Sequence, residues 1–436
     1  MITRIEIDGF KSFENFAIDL PPFLVLIGTN ASGKSNLLDA LSFVATAATE
    51  GLNSAVARVR GDARGLFRRR GDGTRVDLMS FALEFFFKGS AFHAGNRWRY
   101  ELDLGWKVPE NAIEGLVVRA QRLVSIPFST ERWDPLLSAA PEWYEVVEWE
   151  GSEVIELPAA EELPDLQGVL GLLTAAVGGM VRRDRGESLL LMQLQEELAS
   201  TRLLHLEAGS LRRPSEMGGP QRMDSTGRDL PNYLRFLAKE GASDNRPLGH
   251  IGEIKMHLVG LVREISDFTI VEDEHRRDVR LEFSSPYEHG LGAEFASDGT
   301  LRMLAILAAL HDYGTTAVEE PENGVFPERL RQLLGLARAL VTDFREPPER
   351  NPSGARLPHR QAVFTSHSPV VLDAVPYENI AFLDMTTVIE DGVPSRVTRV
   401  RRLRESGGPV RVEGERWPRV TDSELDRFRA GVEEPV

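Results

Sequence analysis

Apolar residues fall into short dense runs along this chain, and the first is the most telling. Phe23-Leu24-Val25-Leu26-Ile27 is uninterrupted, the pattern of a strand buried on both faces. A glycine-bounded turn follows, Gly28-Thr29-Asn30-Ala31-Ser32-Gly33-Lys34-Ser35, and then Asn36-Leu37-Leu38-Asp39-Ala40-Leu41 takes up helical periodicity. Alternation predicts strands over Met1–Ile7 and Val76–Phe85, whereas Leu189–Leu198 and Leu301–Tyr313 space their apolar residues as helices do. Further strands are predicted at Thr315–Val318 and Gln361–Thr365. The pattern is β-rich up to about residue 127, helical over 128–265 with a loop at Gly209–Gly227, and mixed again over 266–405. The 266–405 stretch is broken by a Pro-rich loop at Arg345–Pro358, and 406–436 form a tail. No heptad pattern persists long enough for a long coiled coil, and there are no internal repeats.

Strand, glycine turn and helix in that order form a phosphate-binding loop. Backbone N–H groups from Gly28 to Asn36 can ring a phosphate, and the helix N-terminus adds partial positive charge. Lys34 is placed to reach the β- and γ-phosphates, and Ser35 to ligate Mg²⁺. The expected ligands are therefore a nucleoside triphosphate and Mg²⁺. Downstream, Thr315-Thr316-Ala317-Val318-Glu319-Glu320-Pro321-Glu322 is a short apolar strand ending in acids, where such an enzyme holds its metal and polarises water. Glu319 is the candidate metal holder and Glu320 the general base. Gln361–Pro369 ends in Thr-Ser-His-Ser-Pro, which sets His367 at a strand end within potential reach of a γ-phosphate. Ser297-Asp298-Gly299-Thr300 opens the Leu301 helix and is a second candidate anion site.

Composition narrows the class. At 436 residues, with 42% hydrophobic and 27% charged positions, the chain reads as an ordinary soluble protein of two or three domains. It has no signal-like or membrane-spanning run and no cysteine, which points to the cytoplasm and excludes disulfides and thiolate chemistry. A net charge of −16 argues against bulk nucleic-acid binding, although basic clusters exist. One holds Arg58, Arg60, Arg64, Arg68, Arg69, Arg70 and Arg75; the other holds Arg396, Arg399, Arg401, Arg402 and Arg404. They are either solvated edges or a patch facing DNA or a partner.

In this order, the phosphate loop, Ser-Asp-Gly-Thr, Glu-Glu-Pro-Glu and Thr-Ser-His-Ser-Pro resemble the ABC-type ATPase heads of the RecF, SMC and overcoming-lysogenization-defect group. Ile5–Phe13 looks like that group's first hairpin. Leu211-Arg212-Arg213-Pro214-Ser215 and Asp229–Leu234 are similar to bacterial RecF-like ATPases. The resemblance implies an α/β P-loop NTPase fold, a mixed sheet around the P-loop helix, with an inserted helical subdomain. It also implies a homodimer that sandwiches ATP. The partner's signature, Ser297 to Thr300, would cap the γ-phosphate in trans, His367 would be the switch histidine, and Asn323 would lie in the loop crossing the interface.

The sequence departs from this pattern in places. Glu319 stands where Asp is commoner, one methylene longer, which puts direct ligation of the metal in question. Ser-Asp-Gly-Thr is not the transporter signature, so a membrane-transporter subunit is not expected. The glutamine loop has no clear position, and Gln121 is the candidate. Too few residues follow Pro369 for a fused Toprim-type nuclease of about 100 residues, and Val412-Glu413-Gly414-Glu415 resembles its opening only by coincidence. Any cutting is expected from a separately encoded effector. The expected function is an ATP-gated clamp or switch in DNA repair or anti-phage defence. The alternative is an ATP-switched scaffold that acts on a protein without binding nucleic acid.

Overall fold

The computed structural model describes residues 1–87, 97–107, 115–126, 154–157, 185–240, 248–344, 346–347, 357–404, 408–412 and 414–431. Residues 128–153 and 158–184 of the expected helical insertion, most of the Pro-rich loop, and Glu413 lie outside the described residues. The chain divides into two compact units. One comprises Met1–Thr201, Asp343–Pro348 and Tyr377–Val436; the other comprises Arg202–Thr342 and Glu349–Pro376.

The first unit contains an antiparallel sheet ordered Phe16–Asp19, Ile2–Asp8, Leu78–Phe86, Arg97–Lys107, Gly115–Ser125 and Val154–Glu156. Alternation explains why Ile2–Asp8 folds this way: Ile5 and Ile7 are buried, while Arg4 and Glu6 emerge beside Arg99 and Asp19. Burial alone would raise the Glu6 carboxyl, but hydrogen bonds from Arg99 and Arg4 outweigh it and hold it at about 2.

In the same unit, Phe23–Gly28 runs parallel to Ile380–Glu390, which pairs antiparallel with Val393–Arg402. Every residue of Phe23–Gly28 is buried, as an uninterrupted apolar run requires. Burying each large side chain there contributes about 1.5–3 kcal/mol. The helix Lys34–Thr49 leaves the end of this strand and buries Leu37, Leu38, Leu41, Phe43 and Val44. Leu189–Leu198 lies within an observed helix, Arg185–Ala199, that packs on it.

The second unit is built on three parallel strands, with Gly314–Glu319 between Arg202–Leu204 and Arg360–Ser366. Gly314–Glu319 is buried throughout. The helix Asp298–His311 buries all but a few residues and leads into that strand. A small antiparallel sheet, Asp267–Asp273, Asp278–Ser284 and Leu291–Gly292, receives Ser215–Glu216 at its edge. The expected helical stretch thus also carries strands, alongside the helices Leu230–Lys239 and Ile251–Leu261. Among the described residues, no helix is long and apolar enough to cross a membrane.

Candidate functional site

The phosphate loop lies in the first unit. Gly33 has φ 99°, and a Cβ there would sit 2.2 Å from Thr398 Oγ1, so only glycine fits this close approach. Thr398 Oγ1 lies 2.7 Å from Ser12 Oγ, which accepts from Asn36 Nδ2 at 2.9 Å. Lys11 pairs with Asp39 at 2.6 Å. The first hairpin and the strand Val393–Arg402 therefore brace both sides of the loop. Lys34 is buried, and its Nζ donates to Gly28 O and Thr29 O, each at 2.8 Å, so a fixed positive charge sits inside the curl. Gly33 offers no capping side chain, and the helix's first turn holds no acid. Thr29 and Asn30 remain accessible at the rim, while Ser32 is buried. A tight glycine cradle, an uncapped helix start and a fixed ammonium together suit a polyphosphate.

The acidic strand end lies in the second unit. Glu319 is buried at the last position of its strand. Glu320 follows with φ 47°, a left-handed conformation that non-glycine residues adopt only under strong constraint. Pro321 contributes by disfavouring helical backbone at the residue before it, and Glu320 N donates to Thr365 O at 3.0 Å. Glu320 Oε1 lies 3.3 Å from His367 Nε2, and Asn323 Nδ2 donates to Glu320 Oε2 at 2.9 Å. The candidate base, switch histidine and interface-loop asparagine thus form one cluster. Glu322 closes it: its Oε1 accepts from His367 N at 2.7 Å and from Ser366 Oγ at 2.9 Å. In the sequence Glu322 is only the last acid of the Glu-Glu-Pro-Glu run.

His205 was also missed. Arg202, Leu203 and Leu204 pair in register with Thr316, Ala317 and Val318, so the next residue, His205, falls beside Glu319. Its Nδ1 lies 2.8 Å from Glu319 Oε2, and its side chain is 56% exposed. The strand behind it is only three residues long, too short to stand out by periodicity. Gln121 sits instead in the interior of Gly115–Ser125, buried, with its Oε1 accepting from Tyr100 OH at 3.3 Å. That is a sheet position, not a loop.

Ser297 caps the helix Asp298–His311, its Oγ accepting from Thr300 N at 3.1 Å. Arg212 donates to Asp298 and to Ala296 O, fixing the turn before the helix. A Cβ on Gly299 would lie 2.6 Å from Gly324 O, so the signature and the loop after Glu320 need glycine to pack this closely. Arg302 emerges one turn on. Burial lowers its guanidinium pKa against the pull of Asp298, Glu207 and Glu320.

Most of the clustered arginines have acidic partners within the first unit. Arg68 and Arg70 share Glu390, Arg399 and Arg401 share Asp384, and Arg401 also meets Glu424. Arg58, Arg60, Arg64, Arg402 and Arg404 pair with Glu50, Asp39, Asp77, Asp19 and Asp422. Arg75 donates to Gly65 O and Phe67 O. Arg69 and Arg396 are exposed.

Comparisons with known proteins bear on the family and the fold. The chromosome partition protein Smc of Methanocaldococcus jannaschii is 34% identical over 93 residues, 21% of this chain and 7% of that protein. The chain therefore spans only a small part of that relative's length. The solved Smc head bound to the C-terminal winged-helix domain of ScpA superposes with a TM-score of 0.50 at 14% identity, covering 91% of this chain and 97% of that one. The Smc head with coiled coil and joint from Pyrococcus yayanosii gives 0.47 at 13% identity, covering 92% and 97%. Residues 23–142 and 222–373, more than half of the chain, match the family described as "AAA domain, putative AbiEii toxin, Type IV TA system". The chain belongs to this AAA-domain family and has the fold of an SMC-like, ABC-type ATPase head.

Proposed function

We propose that this chain hydrolyses ATP and works as a switch that dimerises around the nucleotide. The cluster of Glu320, His367 and Asn323 at one strand end carries the reading. Glu320 would accept a proton from the attacking water, and His367 would orient that water and the γ-phosphate. Lys34 and the loop amides would hold the triphosphate. Ser35 and, directly or through water, Glu319 would hold Mg²⁺, which when bound would supply charge neutralisation for phosphoryl transfer.

Several features support a second copy as the partner in closure. Phe295 and Phe326, flanking the signature and the Asn323 loop, are 74% and 71% exposed, large apolar surface of the kind interfaces cover. On this reading Ser297 acts on nucleotide held by the opposite protomer. Ser297→Arg should lower kcat about a hundredfold or more while ATP affinity stays within a few-fold. Mixing it with Lys34→Ala protein should regain activity, because one composite site per mixed dimer is intact. A Ser297→Arg enzyme with normal turnover would sink the trans assignment.

His205 stands beside Glu319, its Nδ1 2.8 Å from the carboxylate. It would orient Glu319 and present its outer nitrogen to the metal's water. His205→Ala should cost about 10- to 100-fold in activity and raise the Mg²⁺ needed for half-maximal rate, with His205→Gln recovering most of it. An unchanged Mg²⁺ dependence in the alanine variant would remove His205 from this role.

For the pathway, the reading is DNA repair or anti-phage defence through a separately encoded effector. The matched family's description, a toxin of a toxin–antitoxin system, fits a switch working with a second component. The solved Smc head that binds ScpA offers a parallel in a protein partner. The arginine pairing favours the variant in which the target is a protein, since charges neutralised by Glu390, Asp384 and Asp422 attract phosphate weakly.

A further inference from the structure

A second cluster of chemistry-bearing side chains lies in the second unit, at the other end of the helix Asp298–His311. His250 immediately precedes the helix Ile251–Leu261, Glu253 follows at the third position and His257 at the seventh. That spacing puts all three on one helical face. Across from them stands His311, the last residue of its helix. His250 and His311 are 2% and 1% exposed, whereas Glu253 is half-exposed.

The geometry within the cluster is specific. One ligand atom each from His250, Glu253 and His311 can be chosen so that all lie within 4.8 Å of one another. His311 Nδ1 faces Glu253 Oε2 at 3.4 Å, and His311 Nε2 lies 2.9 Å from His257 Nδ1. The His257 and His311 rings stack with centroids 5.1 Å apart. Both nitrogens of His311 are therefore directed, one at a carboxylate and the other at an imidazole nitrogen. With Nε2 donating to His257, the Nδ1 lone pair turns toward Glu253, and a cation would bridge these two acceptors.

We propose that His250, Glu253 and His311 form a site for one divalent transition-metal ion of the zinc class, with His257 orienting His311. Two imidazoles and a carboxylate are a common zinc donor set, and imidazole selects such ions over Mg²⁺. The chain has no cysteine, so nitrogen and oxygen donors are what it can offer zinc. The hydrogen bond from a liganding imidazole to an outer acceptor is the usual way such a ring is held. The C-terminal end of a helix also carries partial negative charge, which favours a cation beside His311. Tetrahedral bonds of about 2.0–2.1 Å draw donors to roughly 3.4 Å apart, so the set must close by up to about 1.4 Å. Glu253, half-exposed on a flexible side chain, can supply that movement.

The site lies apart from the acidic strand end, since His311 and Ser297 terminate opposite ends of one helix. The test uses tag-free, nucleotide-free full-length chain stripped with chelator and titrated with Co²⁺, then Zn²⁺. One Co²⁺ per chain with visible tetrahedral bands that Zn²⁺ abolishes is the expected result. Glu253→Gln, which leaves the buried rings in place, should weaken binding about tenfold or more, and His250→Gln should do the same. Glu319→Gln should leave the bands unchanged. Absence of Co²⁺ binding overturns the proposal and leaves the His311–Glu253 contact a structural one. Bands that survive in the Glu253→Gln, His250→Gln double variant, or that vanish in Glu319→Gln, overturn it equally.

Discussion

Lys34→Ala protein is expected to lose ATP affinity by about a hundredfold or more, equivalent to about 2.7 kcal/mol. The reason is local to the first unit. Lys34 Nζ sits inside the loop on the carbonyls of Gly28 and Thr29, at the place where a triphosphate would bring its β- and γ-oxygens. Alanine removes the charge and strips two carbonyls of a donor, which costs stability of about 1–3 kcal/mol for each group left unsatisfied. Calorimetry of ATP binding, with circular dichroism as a check on folding, separates the two effects. A folded variant that still binds ATP with micromolar affinity would defeat the loop assignment.

Glu320→Gln should behave in the opposite way, keeping ATP bound while turnover falls about 10²- to 10⁴-fold. Glutamine keeps an oxygen for Asn323 Nδ2, whose bond to Glu320 is 2.9 Å, so the loop geometry survives while the proton acceptor is lost. Unable to reset, the variant should accumulate in its ATP-bound form. Its mass in solution should double on adding Mg-ATP and return when the nucleotide is removed. Normal hydrolysis would place the base elsewhere. ATP binding with a mass that never changes would remove nucleotide-driven dimerisation.

Parts of this arrangement were legible in the sequence because they are local. The run Phe23–Ile27 ends in a loop whose glycines and lysine announce themselves, and Ser297 stands where a helix cap belongs. Glu319 closes a buried strand and His367 follows another, so period and burial locate both. What stayed hidden depends on pairing between distant segments. His205 follows a three-residue strand and meets Glu319 only through parallel register across 114 positions. Glu322 reaches the His367 backbone 45 positions away. The arginine clusters looked like one patch each, yet Arg68 finds Glu390 across 322 positions and becomes part of the framework. The histidine cluster is half legible: the 250, 253, 257 spacing is visible on one helix, but nothing in sequence points it at His311.

The helix Asp298–His311 has 14 residues and so measures about 20 Å. Its core packing makes it a stiff rod with chemistry at each tip. A tilt of about 5° about one tip swings the other by nearly 2 Å, enough to break a hydrogen bond. Anything that seats or frees His311 would therefore re-aim Ser297, so the length of this helix makes it a lever between the two.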